Sequence, residues 1–111
     1  MPEAPRLTAE QRALALVEAA AARTVRAEAR ARLKAGTLSL RELLDQAEQD
    51  PRLAAMRVSA LVTALPGYGP TRSEALMRRL RIADSRRIRG LGPKQRVALL
   101  ASIVDPAESD S

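Results

Sequence analysis

Two short stretches hold the residues whose types and spacing suit chemistry. In Leu65-Pro66-Gly67-Tyr68-Gly69-Pro70-Thr71-Arg72, two glycines flank a tyrosine just before an apolar-periodic run resumes. Gly67 and Gly69 can take positive φ at little cost, which permits a tight turn with its amides exposed on one side. Pro70 suits the first position of a helix, where its missing N–H is not needed. The remaining N-terminal amides of that helix, with the positive end of its macrodipole, form a seat for a phosphate, and Arg72 in the first turn can reach the same anion. The second stretch, Ser85-Arg86-Arg87-Ile88-Arg89-Gly90, places three arginines around one isoleucine in a turn-rich segment, with Lys94 in the helix start that follows.

Taken alone, Gly-x-Gly before a helix is a weak signal. It lacks the preceding strand and third glycine of a dinucleotide fold and the Gly-Lys-Ser/Thr of a P-loop, and a purely structural interhelical turn uses the same glycines. The neighbouring arginine segment is what favours an anion.

Other chemistry has few candidates. The chain contains no cysteine and no histidine, which removes the thiol nucleophile, the commonest general base and the usual zinc ligands together. Its carboxylates are scattered along helix-like segments without metal-loop spacing. We therefore expect no enzyme, no catalytic residue, no metal, no cofactor and no small-molecule substrate. No apolar run reaches the length of about 18 residues that a membrane span needs, and the N-terminus lacks the basic-then-apolar pattern of a secretory signal. The expected location is the cytoplasm, without membrane contact.

Charge narrows the partner. The formal net charge is +6, and such a surplus attracts polyanions wherever it clusters. Between Arg72 and Arg96, nine basic residues stand against Glu74 and Asp84, a local balance of 9 − 2 = +7. From Gly36 to Met56 the balance reverses, with Arg41 and Arg52 against Glu42, Asp45, Glu48 and Asp50. Abundant arginine and alanine fit a GC-rich genome, but that bias explains arginine in place of lysine and not the clustering.

The elements that must position these residues read as helices. There is no Phe or Trp and one Tyr in 111 residues, so leucine, valine and alanine do the packing, and these favour helix over sheet. We expect an all-α protein with a long N-terminal helix and a compact body of about four further helices. Thr8-x-x-Gln11 is a capping box opening a helix over 8–35 that closes at Gly36. Leu14, Val17, Ala21, Val25 and Leu33 form its apolar seam, and Arg12, Arg23, Arg26, Arg30 and Lys34 fall close to one line, read either as a solvated face or as a second phosphate-facing surface. Ser39-x-x-Glu42 opens a second helix that buries Leu40, Leu43, Leu44 and Ala47. Pro51 to Arg57 is ambiguous. A short helix over 57–65 carries Val58, Leu61, Val62 and Leu65, and the next runs from Pro70 to about Arg81 with Leu76, Met77 and Leu80 inward. A last helix begins at Gly92-Pro93 with Val97, Leu100 and Val104 inward. Residues 1–7 and 105–111 are too polar and proline-rich to be expected to order, which leaves 36–104 as the compact domain.

The run from Met56 to Gln95, LPGYG followed by SRRIRGLG, resembles the actinobacterial integration host factor family. The resemblance extends from the Thr-x-Glu-Gln-Arg of the first helix to the last helix. It implies a helix-two-turn-helix motif over about 57–104 and a nucleoid protein that binds double-stranded DNA with little sequence preference, affects its bending and topology, and assists site-specific recombination. Carried over, the phosphate-binding turn is Pro66, Gly67, Tyr68 and Gly69 with Thr71 and Arg72, and the groove-facing segment is Ser85, Arg86, Arg87, Arg89 and Gly90. Three positions depart from the family's usual residues: Pro70 for lysine, Tyr68 for a small aliphatic residue, and Ser73 for alanine. Tyr68 then either lies against the sugar-phosphate or packs as a larger hydrophobe.

Both lines of reasoning expect phosphate contacts that position without specifying, and arginine insertion in the minor groove. No sustained heptad argues for a dimer, so a monomer is expected. The stripe Arg23, Arg26, Arg30 and Lys34 would let that monomer bridge two duplexes. Two alternatives use the same charges: a structured-RNA or ribosome-associated protein, and a helical adaptor for an acidic protein partner.

Overall fold

A computed structural model describes residues 7–103, and every expectation for residues 1–6 and 104–111, Val104 included, falls outside them. Among the described residues there are six α-helices and no strand: α1 Ala9–Ala35, α2 Leu40–Ala47, α3 Pro51–Ala54, α4 Val58–Ala64, α5 Pro70–Arg79 and α6 Pro93–Ser102, with a single 3₁₀ turn at Ile88–Gly90. The all-α expectation holds.

Local chemistry sets the helix ends where the sequence places them. Thr8 Oγ1 accepts from the Gln11 amide at 3.0 Å while Gln11 Oε1 accepts from the Thr8 amide at 2.8 Å, a complete capping box. Gly36, at φ 76°, closes α1 in the left-handed conformation. Ser39 and Glu42 form the second box in the same way. The ambiguous stretch after Asp50 is a short helix, with the Asp50 carboxylate accepting from the Arg52 amide at 2.9 Å and Pro51 in the first turn.

The core is leucine, valine and methionine. Leu33, Leu40, Leu43, Leu44, Val58, Leu61, Val62, Met77 and Leu99 are fully buried, so α1, α2, α4, α5 and α6 share one interior. α4 packs between α1 and α5, and α3 lies against α1 and α2. Ser73, in an otherwise apolar setting, is 2% exposed, and its hydroxyl lies 3.4 Å from the Ser59 carbonyl of α4. Its small size permits the close α4–α5 approach.

Two expected apolar faces differ. In α1, Leu14 and Val17 are 64% and 68% exposed, and only Val25, Ala29 and Leu33 meet the core. At 1.5 Å per residue, a helix of 27 residues is about 40 Å long, and it outruns a body that is 25 to 30 Å across. In α6, Leu99 and Ile103 point inward, Leu100 is half-buried and Val97 is exposed. Burial of Leu99 and Ile103 in the core sets this rotation, and Arg96 lies on the same side. Its guanidinium bridges Asp45 and Glu48 of α2, and Leu99 and Ile103 follow on the same helical stripe.

α5 ends in a Schellman arrangement: the Arg81 amide donates to the Arg78 carbonyl at 3.1 Å and the Ile82 amide to the Met77 carbonyl at 2.9 Å. This puts Arg81 at φ 58°, the single non-glycine residue with positive φ among those described. An L-residue there costs about 1–2 kcal/mol, partly offset in a glycine variant by the greater entropy of its unfolded chain. Arg81→Gly should therefore stabilise the fold by roughly 0.5–1 kcal/mol, a rise of a few degrees in a thermal melt.

Candidate nucleic-acid interface

The glycine turn begins where α4 stops. The Leu65 amide donates to Val62 and the Tyr68 amide to Leu65, folding the chain back on itself. Gly67 takes φ 80°, whereas Gly69 is extended at φ −119°, so only the first glycine uses the left-handed region. A Cβ at Gly69 would meet nothing within 4 Å. The protein's own packing leaves that space open, directly before the first turn of α5. The Ser73 amide is already bonded to the Gly69 carbonyl, but those of Thr71 and Arg72 have no partner among the described residues and lie at the positive end of the helix.

Arg72 and Tyr68 brace one another. The guanidinium lies 4.2 Å from the centre of the Tyr68 ring and donates to the Gly67 carbonyl at 3.1 Å. Tyr68 is half-buried and packs against the core with the Arg72 cation over its ring face.

The arginine segment is tied to the start of α4 by backbone pairing. The Val58 amide donates to the Arg86 carbonyl and the Ile88 amide to the Met56 carbonyl, both at 2.9 Å, making an isolated antiparallel bridge between Arg57 and Arg87. Ile88 is the buried anchor. Arg87 is half-buried and donates to the Ala55 carbonyl, Arg86 donates to the Gly90 carbonyl at 2.8 Å, and the exposed Arg89 side chain has no bonded partner among the described residues.

Three clefts join these pieces. The first, about 510 Å³, lies between Arg30 and Lys34 of α1 and the turn from Leu65 to Pro70. The second, about 340 Å³, is lined by Arg26, Arg30, Arg57 and Arg87 over Ala55, Met56 and Ala60. The third, about 320 Å³, is bounded by Ser85, Arg86, Arg87, Arg89 and Gly90. Arg30 belongs to the first and second, Arg87 to the second and third, and among the described residues no carboxylate lines any of them. The result is one continuous basic track from the turn to the arginine segment.

Arg30 and Lys34 thus share the cleft of the turn and Arg26 the adjoining one, although the sequence reading set the α1 stripe apart as a second surface. Arg23 and Lys94 line none of these clefts. Two other cations are occupied. Arg96 is paired with α2, and Arg52 of α3 makes a two-pronged bond to Glu18 of α1 at 2.9 and 3.0 Å, which raises its pKa above the ordinary arginine value. Arg57 is the residue that sequence reasoning missed. It stands alone between the two basic clusters, and only the pairing with Arg87 brings it to the track.

Comparison with known proteins follows the same outline. A model of the S13-like H2TH domain matches residues 33–103. The chain is 53% identical over 96 residues to proteins named integration host factor from Mycolicibacterium smegmatis and Mycobacterium tuberculosis, covering 86% of this chain and 91% of each relative. It is 50% identical over 95 residues to the integration host factor of Streptomyces coelicolor, covering 86% and 89%. A solved structure of sIHF bound to an 8 bp palindromic DNA superposes with a TM-score of 0.76 at 44% identity, covering 78% of this chain and 98% of that one.

Proposed function

Because the chain belongs to the integration host factor family, on an S13-like H2TH domain, we propose that it is a nucleoid-associated protein that binds double-stranded DNA with little sequence preference. The observation that carries this reading is the acid-free track running from Lys34 and the glycine turn through Arg30, Arg26, Arg57 and Arg87 to Arg86 and Arg89. A phosphate group sits before the Thr71 and Arg72 amides, where Gly69 leaves room for close approach. Arg86 and Arg89 enter the minor groove or neutralise its flanking phosphates, and Arg26, Arg30 and Lys34 hold the adjoining backbone.

Backbone contacts of this kind are indifferent to base sequence, so selectivity comes from groove width and deformability, and bending, topology and assistance to recombination follow from them. Since Arg30 and Lys34 of α1 line the same cleft as the turn, one monomer engages one duplex.

The test is a salt series with a random duplex of about 20 base pairs, competed by unrelated duplexes and by structured RNA. Affinity should fall linearly in log–log form with a slope of about −0.9 per phosphate contacted, and all duplexes should compete alike. One duplex outcompeting the rest by a hundredfold, or RNA displacing every duplex, would overturn this reading.

A further inference from the structure

We infer that the cleft between α1 and the Arg57–Arg87 bridge is a binding site for a compact chain of linked phosphates, either free inorganic polyphosphate or the terminal phosphates of a nucleotide. Four guanidinium groups converge there from three separate parts of the chain: Arg26 and Arg30 from α1, Arg57 from the start of α4, and Arg87 from the arginine segment. The side chains of Arg26, Arg30 and Arg57 have no hydrogen-bonded or ionic partner among the described residues. Arg87 spends one nitrogen on the Ala55 carbonyl, which fixes its fork in place. Elsewhere this protein answers its cross-helix arginines with carboxylates, as at Arg52 and Arg96. Here it does not.

Charge matching selects the ligand. A duplex phosphodiester brings one negative charge per phosphate, so a strand passing the cleft leaves much of this cluster uncompensated. A terminal phosphate carries about −1.5 to −2, and two or three linked phosphates concentrate more charge in one small volume. The cleft's 340 Å³ is at the lower end of the range for small-ligand sites, roughly 300–1,000 Å³, and planar guanidinium forks suit phosphate oxygens. Its floor is Ala55, Met56 and Ala60, with no aromatic ring to stack a base, so recognition falls on the phosphate chain alone. Arg30 and Arg87 are shared with the neighbouring clefts, so an occupied cleft neutralises the middle of the track and competes with DNA. This makes duplex binding responsive to the supply of phosphorylated small molecules.

The experiment is titration calorimetry of the full chain with inorganic tripolyphosphate, ATP, GTP and orthophosphate, at constant ionic strength and without divalent metal. Tripolyphosphate and both nucleotides should bind one per chain with similar affinity, at least about tenfold tighter than orthophosphate. Arg26→Ala/Arg57→Ala should lose about tenfold or more, whereas Arg32→Ala/Arg78→Ala, which removes the same charge outside the cleft, should bind as the parent does. Thermal melts of each variant without anion check the fold, and tripolyphosphate should raise the melting temperature of the parent and of the control alone. Orthophosphate binding as tightly as tripolyphosphate, equal loss in both double variants, or non-saturable heats would overturn the inference. Failure of the duplex salt series would leave these titrations unchanged, so the two readings fail separately.

Discussion

Replacing Arg30, Arg57 and Arg89 together with alanine should weaken duplex binding on the order of a thousand-fold. Arg30 sits where the first two clefts meet, Arg57 in the middle cleft and Arg89 at the far end, all three exposed and with side chains that have no hydrogen-bonded partner among the described residues. At about 1.5 kcal/mol per charged hydrogen bond, the low end for such contacts because solvent and salt screen them, three lost contacts cost about 4 kcal/mol. The log–log salt slope should flatten by up to about 2.7, at about 0.9 per phosphate released. Truncating Arg87 is a poorer test, because its guanidinium also holds the Ala55 carbonyl and its loss disturbs the pairing of the segment. Fluorescence anisotropy across the salt series measures both quantities, and an unchanged slope would remove these residues from the interface.

Leu33→Ala should destabilise the fold by about 2–5 kcal/mol, the usual cost of a fully buried leucine, out of a total of about 5–15 kcal/mol for a domain. The site is sensitive because α1 meets the core only through Val25, Ala29 and Leu33. Its remaining tie, Arg52 to Glu18, is solvent-exposed and contributes little at physiological salt. The variant should melt more than about 10 °C lower. DNA affinity should fall with it, since α1 carries Arg26, Arg30 and Lys34 to the clefts. Leu16→Ala, on a residue that is 70% exposed, should shift stability by less than about 0.5 kcal/mol and serves as the control. A Leu33→Ala protein melting like the parent would show that α1 is held by something other than this contact.

The helix ends, the glycine turn and the clustering of arginines near Ser85 were legible in the sequence because each depends on neighbours within about five residues. Thr8 with Gln11, Ser39 with Glu42, and Pro70 after Gly69 carry their own hydrogen-bonding and φ requirements. The family was legible for a related reason: LPGYG and SRRIRGLG are each short, local motifs.

What the sequence by itself determined is therefore the helical class, the capped starts of α1 and α2, and the two stretches in which glycine and arginine cluster. What only the tertiary structure decided is which faces are covered and which cations meet. Periodicity marks Leu14 and Val17 as well as Leu33, but nothing local says that α1 outruns the body, so the first two stay in solvent. Val97 and Leu99 both satisfy a helical period, and the choice between their faces fell to the core that α1, α2, α4 and α5 build around Leu99. Arg57 carries no local mark at all. Its place in the track comes from backbone pairing with Arg87 thirty residues on and from the packing of α1 across that bridge, long-range contacts for which the chain has no short-range signal.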